Sequence, residues 1–135
     1  MRSIKTIIFT VSIFCIVSAF PAHAACVSSD VAGKWRAFLV TGSTLHQGFA
    51  RATLEFSETG NLTNNAELIN SLNQRFRLVN GSVKVADSCR ITGTFRTKTG
   101  LKIAIVDGQL NSSKDVISGV YRTSTKDSGL INLIK

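Results

Sequence analysis

Hydrophobic and polar residues alternate along several short segments of this chain, and a glycine or another turn residue follows most of these segments. In one of them, Arg75 and Arg77 alternate with Phe76 and Leu78. A period of two is typical of β-strands that bury one face. The ten glycines, all from Gly33 onward, recur at a mean spacing of about 11 residues, which is the interval of turns in all-β sandwiches and barrels. The pattern predicts an all-β domain.

Eight strands are obtained if one ambiguous segment is included. Seven segments are predicted strands on alternation and bounding turn residues: 34–40, 49–56, 75–79, 89–97, 101–110, 116–123 and 130–134. The eighth, 62–72, stays open between a strand and a short helix, because its leucines fit a helical turn and its asparagines weaken both interpretations. The pair Asn80-Gly81 predicts a tight turn after 75–79.

An internal repeat indicates how the later strands are connected. Residues 91–99 align with 117–125 at a constant offset of 26, and five of the nine positions are identical. In an up-and-down meander, alternate strands run in the same direction, and two strands of about 10 residues with their turns occupy this offset. The repeat therefore predicts consecutive antiparallel hairpins, and with eight strands a small up-and-down β-barrel.

Alternation assigns a different character to each face of the predicted sheet. Apolar and aromatic residues such as Phe76, Phe95 and Tyr121 fall on the inner face. The predicted outer face carries cations: Arg75, Arg77, Arg90, Arg96, Lys102 and Arg122. Because neighbouring strands lie about 4.8 Å apart, we expect several of these cations to form one patch.

Residues 1–24 have the anatomy of a secretory signal peptide. Arg2 and Lys5 precede an apolar run, 7–20, and a small-x-small site ends at Ala24. The run is shorter than the about 20 residues that span a bilayer, so no transmembrane segment is expected. Cleavage after Ala24 would leave one domain, 25–135, with 14 basic and 8 acidic residues and a net charge reduced from +8 to +6. A secreted or periplasmic location is expected.

Two cysteines remain in the expected mature chain, Cys26 and Cys89. An even number of cysteines in an exported protein predicts a disulfide. The alternative is lipidation of Cys26, because the preceding His23-Ala24-Ala25 is distantly similar to the cleavage site of bacterial lipoproteins. Lipidation would leave Cys89 unpaired.

The segment Gly33-Lys34-Trp35 resembles the start of the first strand in the calycin superfamily, which includes lipocalins and avidins. Cys26 shortly before it, and Cys89 in the middle of the chain, look most like the paired cysteines of an avidin. The resemblance implies an eight-stranded antiparallel barrel for the whole domain. It also implies a bridge between these two cysteines.

In this superfamily the tryptophan closes one end of the barrel and packs against a basic side chain from the last strands. The resemblance assigns the closing role to Trp35 and the basic role to Arg122 or Lys126, although strand parity argues against Arg122. Avidins line their biotin site with several tryptophans, and this chain has one. The resemblance is therefore extended to the fold and not to biotin binding.

Side chains for catalysis or metal binding are scarce after residue 24. His46 is the single histidine there, in a predicted turn between the first two strands. A zinc site needs three or four ligands, and a Ser-His-Asp arrangement would depend on this one residue. The carboxylates are scattered, and no phosphate-binding glycine loop opens a helix. We expect no enzymatic activity, no metal and no cofactor.

Three kinds of function remain open. The first is binding of a small hydrophobic ligand inside the barrel, against Trp35, Phe76, Phe95 and Tyr121, unless inward side chains fill a barrel of this size. The second is a secreted protein-interaction or inhibitor module that uses a basic outer surface, made of Arg75, Arg77, Arg96, Lys102 and Arg122. The third is a structural envelope protein. Nucleic-acid binding is not expected, because no aromatic pair lies among these arginines. The sequence specifies no interface, so oligomerisation stays open.

Overall fold

The computed structural model describes residues 24–42 and 47–135. A short 3₁₀ helix, Ser28–Val31, precedes eight strands, and the strands are β1 (Gly33–Gly42), β2 (Gln47–Phe56), β3 (Glu67–Asn70), β4 (Arg75–Val85), β5 (Arg90–Thr97), β6 (Lys102–Leu110), β7 (Val116–Thr123) and β8 (Ser128–Ile134). The predicted signal peptide falls almost entirely on residues outside this description, as does His46. No helix in the part of the chain that the structure describes is long and apolar enough to cross a membrane.

The strands form a closed antiparallel barrel. Each strand pairs with the next one along the chain, and β1 also pairs with β8, through registers such as Ala37↔Leu133. Closure satisfies the backbone groups that an open sheet would leave at its edges. The predicted all-β, up-and-down barrel of eight strands is confirmed, and it is consistent with a calycin-like architecture.

Inward side chains from all eight strands form one apolar core. Alternation places every second residue inside, so that Ile91 and Phe95 on β5 are buried together with Ile117 and Tyr121 on β7. These are the equivalent positions of the internal repeat, and β6 lies between the two strands. The predicted hairpins and the predicted inner face of the repeat are therefore confirmed.

Asn80-Gly81 does not form the predicted tight turn. Strand β4 continues through the pair to Val85, with a register shift between Leu78 and Asn80. Gly81 lies opposite Phe95, and a Cβ at Gly81 would overlap the Phe95 ring. The glycine therefore makes room for an inward aromatic ring on the next strand, which a turn prediction from the dipeptide alone does not consider.

The ambiguous segment 62–72 contains a strand of only four residues. The ladder between β2 and β3 has two pairs, Ala50↔Asn70 and Arg51↔Ile69. Beyond it, the Asn64 side chain takes the place of a strand: its amide donates to the Thr53 carbonyl at 3.0 Å. Its amide oxygen accepts from the backbone N–H of Glu55 at 2.9 Å. The Asn64 side chain thus continues the hydrogen bonding of β2 where the backbone ladder stops.

A disulfide joins Cys26 to Cys89, as predicted, with Cα atoms 4.9 Å apart. It ties the segment before β1 to the turn between β4 and β5. The backbone N–H of Cys26 also donates to the carbonyl of Asp87 in this turn, at 3.2 Å. A disulfide is compatible with an oxidising, extracellular type of compartment.

Candidate ligand site at the open end of the barrel

Trp35 closes one end of the barrel, where the 3₁₀ helix lies against it. The indole is fully buried, and its N–H donates to the carbonyl of Val31 in that helix at 2.7 Å. The ammonium of Lys135 lies 5.4 Å from the ring centroid and donates to the carbonyl of Asp30 at 3.2 Å. This geometry combines a cation–π contact with a buried hydrogen bond.

The basic partner of Trp35 was predicted wrongly. Arg122 and Lys126 are exposed, and they lie at the other end of the barrel, on β7 and in the β7–β8 turn. Lys135 takes the role because β8 ends beside Trp35, so the residue after it is the basic group nearest the indole.

The middle of the barrel is almost completely filled. It encloses a cavity of about 20 Å³, between the inward side chains of seven strands. Leu54, Leu68, Phe95 and Ile103 are among those side chains. This volume has room for a water molecule at most, and its apolar walls provide no partner for one. A ligand of drug or metabolite size has no space here.

The open end, opposite Trp35, contains a larger depression of about 360 Å³. Its floor is formed by the apolar side chains of Leu39, Leu68 and Ile103, which cover the filled core. Phe49 and Leu72 line its rim and are strongly exposed. The volume is at the lower end of the range of about 300–1,000 Å³ that is usual for small-molecule sites.

Two hydroxyl groups lie together at this end. The Tyr121 hydroxyl and the Thr41 hydroxyl share a hydrogen bond of 2.6 Å, and both residues line the depression. Tyr121 comes from an inward position of β7, and Thr41 comes from the end of β1. Two hydroxyls have more donor and acceptor positions than one mutual bond uses. They can therefore hydrogen-bond a polar group on a ligand that lies over the apolar floor.

The structure does not bring the four predicted ligand residues together. Tyr121 lines the open end, where it bonds Thr41 of β1, and Trp35 closes the opposite end. Trp35 and Thr41 are six residues apart on β1, which corresponds to about 20 Å along the strand. Phe95 lies in the filled core, 6.1 Å from the ring of Phe56. Phe76 is half-buried on β4 and packs against the core. Only Tyr121 belongs to the open-end depression.

The predicted basic residues are all exposed on the outer face, in two places. Arg96 on β5 lies directly opposite Lys102 on β6. Arg122 on β7 lies opposite Ala104, which is the next outward residue after Lys102 on β6. Arg75 is elsewhere and forms an ion pair with Glu67 at 3.0 Å. The cross-strand partner of Arg77 is also Glu67. Arg96, Lys102 and Arg122 are thus neighbours, while Arg75 and Arg77 lie beside Glu67, which pairs with Arg75.

A second depression, of about 620 Å³, lies on the wall where the β2–β3 ladder stops. Its floor consists of three buried alanines, Ala37, Ala52 and Ala66, whose small side chains leave the space. Arg36 and Arg51 stand at its rim. It does not reach the barrel end, and none of the residues selected from the sequence lines it. Among residues 24–42 and 47–135, no group of three or more His, Cys, Asp or Glu side chains could hold a metal ion.

Sequence reasoning missed most of the open-end depression. Thr41, Phe49 and Leu72 lie at strand ends or in a turn, where alternation assigns no face. No pattern in the sequence pointed to Thr41, because the predicted first strand ended at residue 40 and β1 extends to Gly42.

No protein-family model matches this chain, and no curated protein matches its sequence. Among solved structures, it is similar to a de novo designed fluorescence-activating β-barrel. The TM-score is 0.65 at 12% sequence identity, and the match covers 82% of this chain and 98% of that chain. At this level of identity the likeness shows the fold alone.

Proposed function

We propose that this protein is an exported, non-catalytic binding protein that holds a small, mainly apolar ligand at the open end of its barrel. The observation that carries the proposal is the depression of about 360 Å³ at the open end, whose apolar floor lies directly on the barrel core. At the opposite end the buried indole of Trp35 covers the core. The depression is concave, with an apolar floor and polar groups at its sides that include Thr41, Tyr121 and Asp127. A concave apolar surface with a limited set of polar groups is the usual make-up of a small-molecule site.

The proposed position differs from the deep interior position that the sequence suggested. Because the core cavity is about 20 Å³, the ligand lies on the filled core instead of inside it. The hydroxyls of Thr41 and Tyr121 would donate one hydrogen bond to the ligand or accept one from it. A ligand with one polar group and an apolar body fits this arrangement. The designed barrel with a similar fold is fluorescence-activating, which agrees with binding by a barrel of this size.

Absence of catalysis and export are parts of the same proposal. The predicted absence of a catalytic histidine or carboxylate pair supports a binding role. The Cys26–Cys89 disulfide and the signal-peptide pattern of residues 1–24 support export.

The proposal is tested with Nile red, a neutral apolar dye. Ala50 lines the open-end depression, and Ala50→Phe would fill part of it. We expect this variant to weaken dye binding by about ten-fold or more, the effect of about 1.4 kcal/mol. The matched control is Ala104→Phe, the same substitution on the outer face of β6. Binding measured by fluorescence titration that is equally strong in both variants would refute an open-end site.

A second candidate function is contact with an anionic partner through the outer cations. Arg96 and Lys102 are direct cross-strand partners, and no carboxylate lies within ion-pair distance of either among the residues that the structure describes. Like charges directly opposite each other are unfavourable in an isolated sheet, and an anionic partner would relieve this. The variant Arg96→Gln with Lys102→Gln removes both cations and tests this candidate through its binding to anionic vesicles.

A further inference from the structure

A row of large apolar side chains is exposed on the outer face of four neighbouring strands. Phe49 on β2 lies opposite Val40 on β1, and Val40 lies opposite Leu130 on β8. Leu130 in turn lies opposite Val120 on β7. Their exposed fractions are 60%, 55%, 60% and 39% in this order. Because cross-strand partners have Cβ atoms about 4.5–5.5 Å apart, these four residues, here called the apolar belt, form a continuous strip.

The apolar surface extends beyond the belt toward the closed end. Phe38 precedes Val40 by two residues on the outer face of β1, and it is 45% exposed. Ile134, at the end of β8, is 45% exposed as well. Soluble monomers rarely expose contiguous apolar patches larger than a few hundred Å², and such patches commonly mark interaction sites. We therefore infer that the belt contacts another molecule or surface.

Cations outnumber carboxylates around the belt. The outward positions of β1, β7 and β8 include Lys34, Arg36 and Arg122 and no aspartate or glutamate. Two carboxylates lie on the adjoining strands. Glu55 on β2 is opposite Lys34. Asp107 on β6 is opposite Val120 and pairs with Arg90 at 2.9 Å. Arg51 on β2 adds a fourth cation, directly opposite Phe38. None of the four forms an ion pair within the described part of the chain. Arg122 lies on the open-end side of the belt and Arg36 on the other, so cations flank the apolar strip on both sides.

We propose that the apolar belt docks onto the surface of an anionic lipid bilayer. In this arrangement Val40, Leu130 and their neighbours contact the acyl boundary, and the flanking cations contact lipid phosphates. Peripheral binding of this kind combines buried apolar area with attraction to anionic headgroups. Cations lie on both sides of the apolar strip along the outer face. When the strip inserts, these cations are therefore at the level of the headgroups that surround it.

The charge pattern disfavours a second copy of this chain as the occupant. Any two-fold arrangement of two belts brings the four cations of one copy against those of the other, and they outnumber the nearby carboxylates Glu55 and Asp107, the second of which already pairs with Arg90. The belt is also convex, because it follows the barrel wall. A rigid protein partner would need a matching concave surface, whereas fluid lipid conforms to a convex strip.

The test is co-sedimentation of the full chain with two kinds of vesicle, phosphatidylcholine alone and phosphatidylcholine containing phosphatidylglycerol. We expect binding to the anionic vesicles that weakens as salt is added. Arg36→Gln and Arg122→Gln should each reduce the partition constant about five-fold, as expected for loss of one cation near an anionic surface. Val40→Thr with Leu130→Thr should reduce it about ten-fold or more, while the β-branched threonines remain suited to strands.

Matched controls separate this proposal from its alternatives. Val79 on β4 is 53% exposed and lies away from the belt, so Val79→Thr should leave binding unchanged. Phe49→Thr with Val120→Thr repeats the belt test at independent positions, in case the first pair unfolds. Loss of binding in Arg96→Gln with Lys102→Gln, but not in the belt variants, would overturn the proposal and favour the basic surface. Dimerisation abolished by the belt variants, seen by analytical ultracentrifugation, would overturn it in favour of a second copy.

Discussion

The indole of Trp35 receives contacts from two separate parts of the chain, the 3₁₀ helix at Val31 and the residue after β8, Lys135. The tryptophan itself is recognisable in the sequence, because Gly33-Lys34-Trp35 precedes an alternating strand. Its cationic partner is not recognisable, because the position of Lys135 beside the ring depends on where β8 ends relative to β1. Register between distant strands has no counterpart in local sequence, and this is why the partner was assigned to the wrong residue.

Asp30 makes a testable contribution at this same end. Its carboxylate accepts from the Lys114 ammonium at 2.8 Å and from the backbone N–H of Val27 at 2.8 Å. Hydrogen bonding from Lys114, followed by that from Val27, lowers the pKa of Asp30. A lowered folded-state pKa stabilises the fold above the unfolded value of about 3.9, and this stabilisation is lost as pH falls through the folded-state pKa.

We expect Asp30→Asn to lower the free energy of unfolding by about 1 kcal/mol at pH 7, because it removes an ion pair and weakens a helix cap. The difference from the natural chain should shrink as the pH falls below about 4. Urea denaturation at neutral and acidic pH measures both. Asp87→Asn is the control, because the Asp87 side chain makes no hydrogen bond or ion pair in the described structure. A difference that stays the same at all pH values would contradict this account.

At the scale of elements, the internal repeat specifies a turn as well as a pair of strands. In Thr97–Leu101 and Thr123–Asp127, the first threonine hydroxyl accepts from the backbone N–H four residues later, at 3.0 Å and 3.1 Å. The fourth residue of each turn has a positive φ, 91° at Gly100 and 69° at Lys126. Gly100 is suited to this left-handed region because glycine has no Cβ, whereas Lys126 occupies it with a side chain.

Exchanging the two residue types should have opposite effects. We expect Gly100→Ala to lower the free energy of unfolding by about 1 kcal/mol, and Lys126→Gly to raise it by up to about 1 kcal/mol. A Cβ at Gly100 meets no atom within 4 Å, so the first effect comes from φ alone. Gly42→Ala is the matched control, since a Cβ there also meets no atom and its φ is not positive. Equal effects of the two Gly→Ala substitutions in thermal denaturation would refute this explanation.

At the scale of the whole molecule, the disulfide connects the segment before β1 to the middle of the chain. The bridge between Cys26 and Cys89 spans a sequence separation of 63 residues. We expect Cys26→Ser with Cys89→Ser to lower the free energy of unfolding by about 4 kcal/mol, mainly because the unfolded chain is no longer cross-linked. Urea denaturation measures the difference. The natural chain under reducing conditions is the control and should behave like the variant, and a loss below about 1 kcal/mol would contradict this expectation.

The outer surface shows what alternation can and cannot predict. The basic residues fall outside, as the pattern indicated, with Arg96 beside Lys102. The apolar belt was not predicted, because Val40 and Leu130 are far apart in sequence and become neighbours only when β8 pairs with β1. Closure of the barrel thus creates a surface that no single segment contains.

Local sequence by itself determined the strand-forming pattern, the inward side chains, the repeated hairpins and the cysteine pair. These depend on a two-residue period, on turn chemistry and on cysteine count, which are all readable along the chain. Only the tertiary structure decided that β4 runs through Gly81, that Lys135 meets Trp35 and that the core is filled below an open end. Those outcomes depend on register and on how side-chain volumes from eight strands share one interior, and both are set by partners distant in sequence.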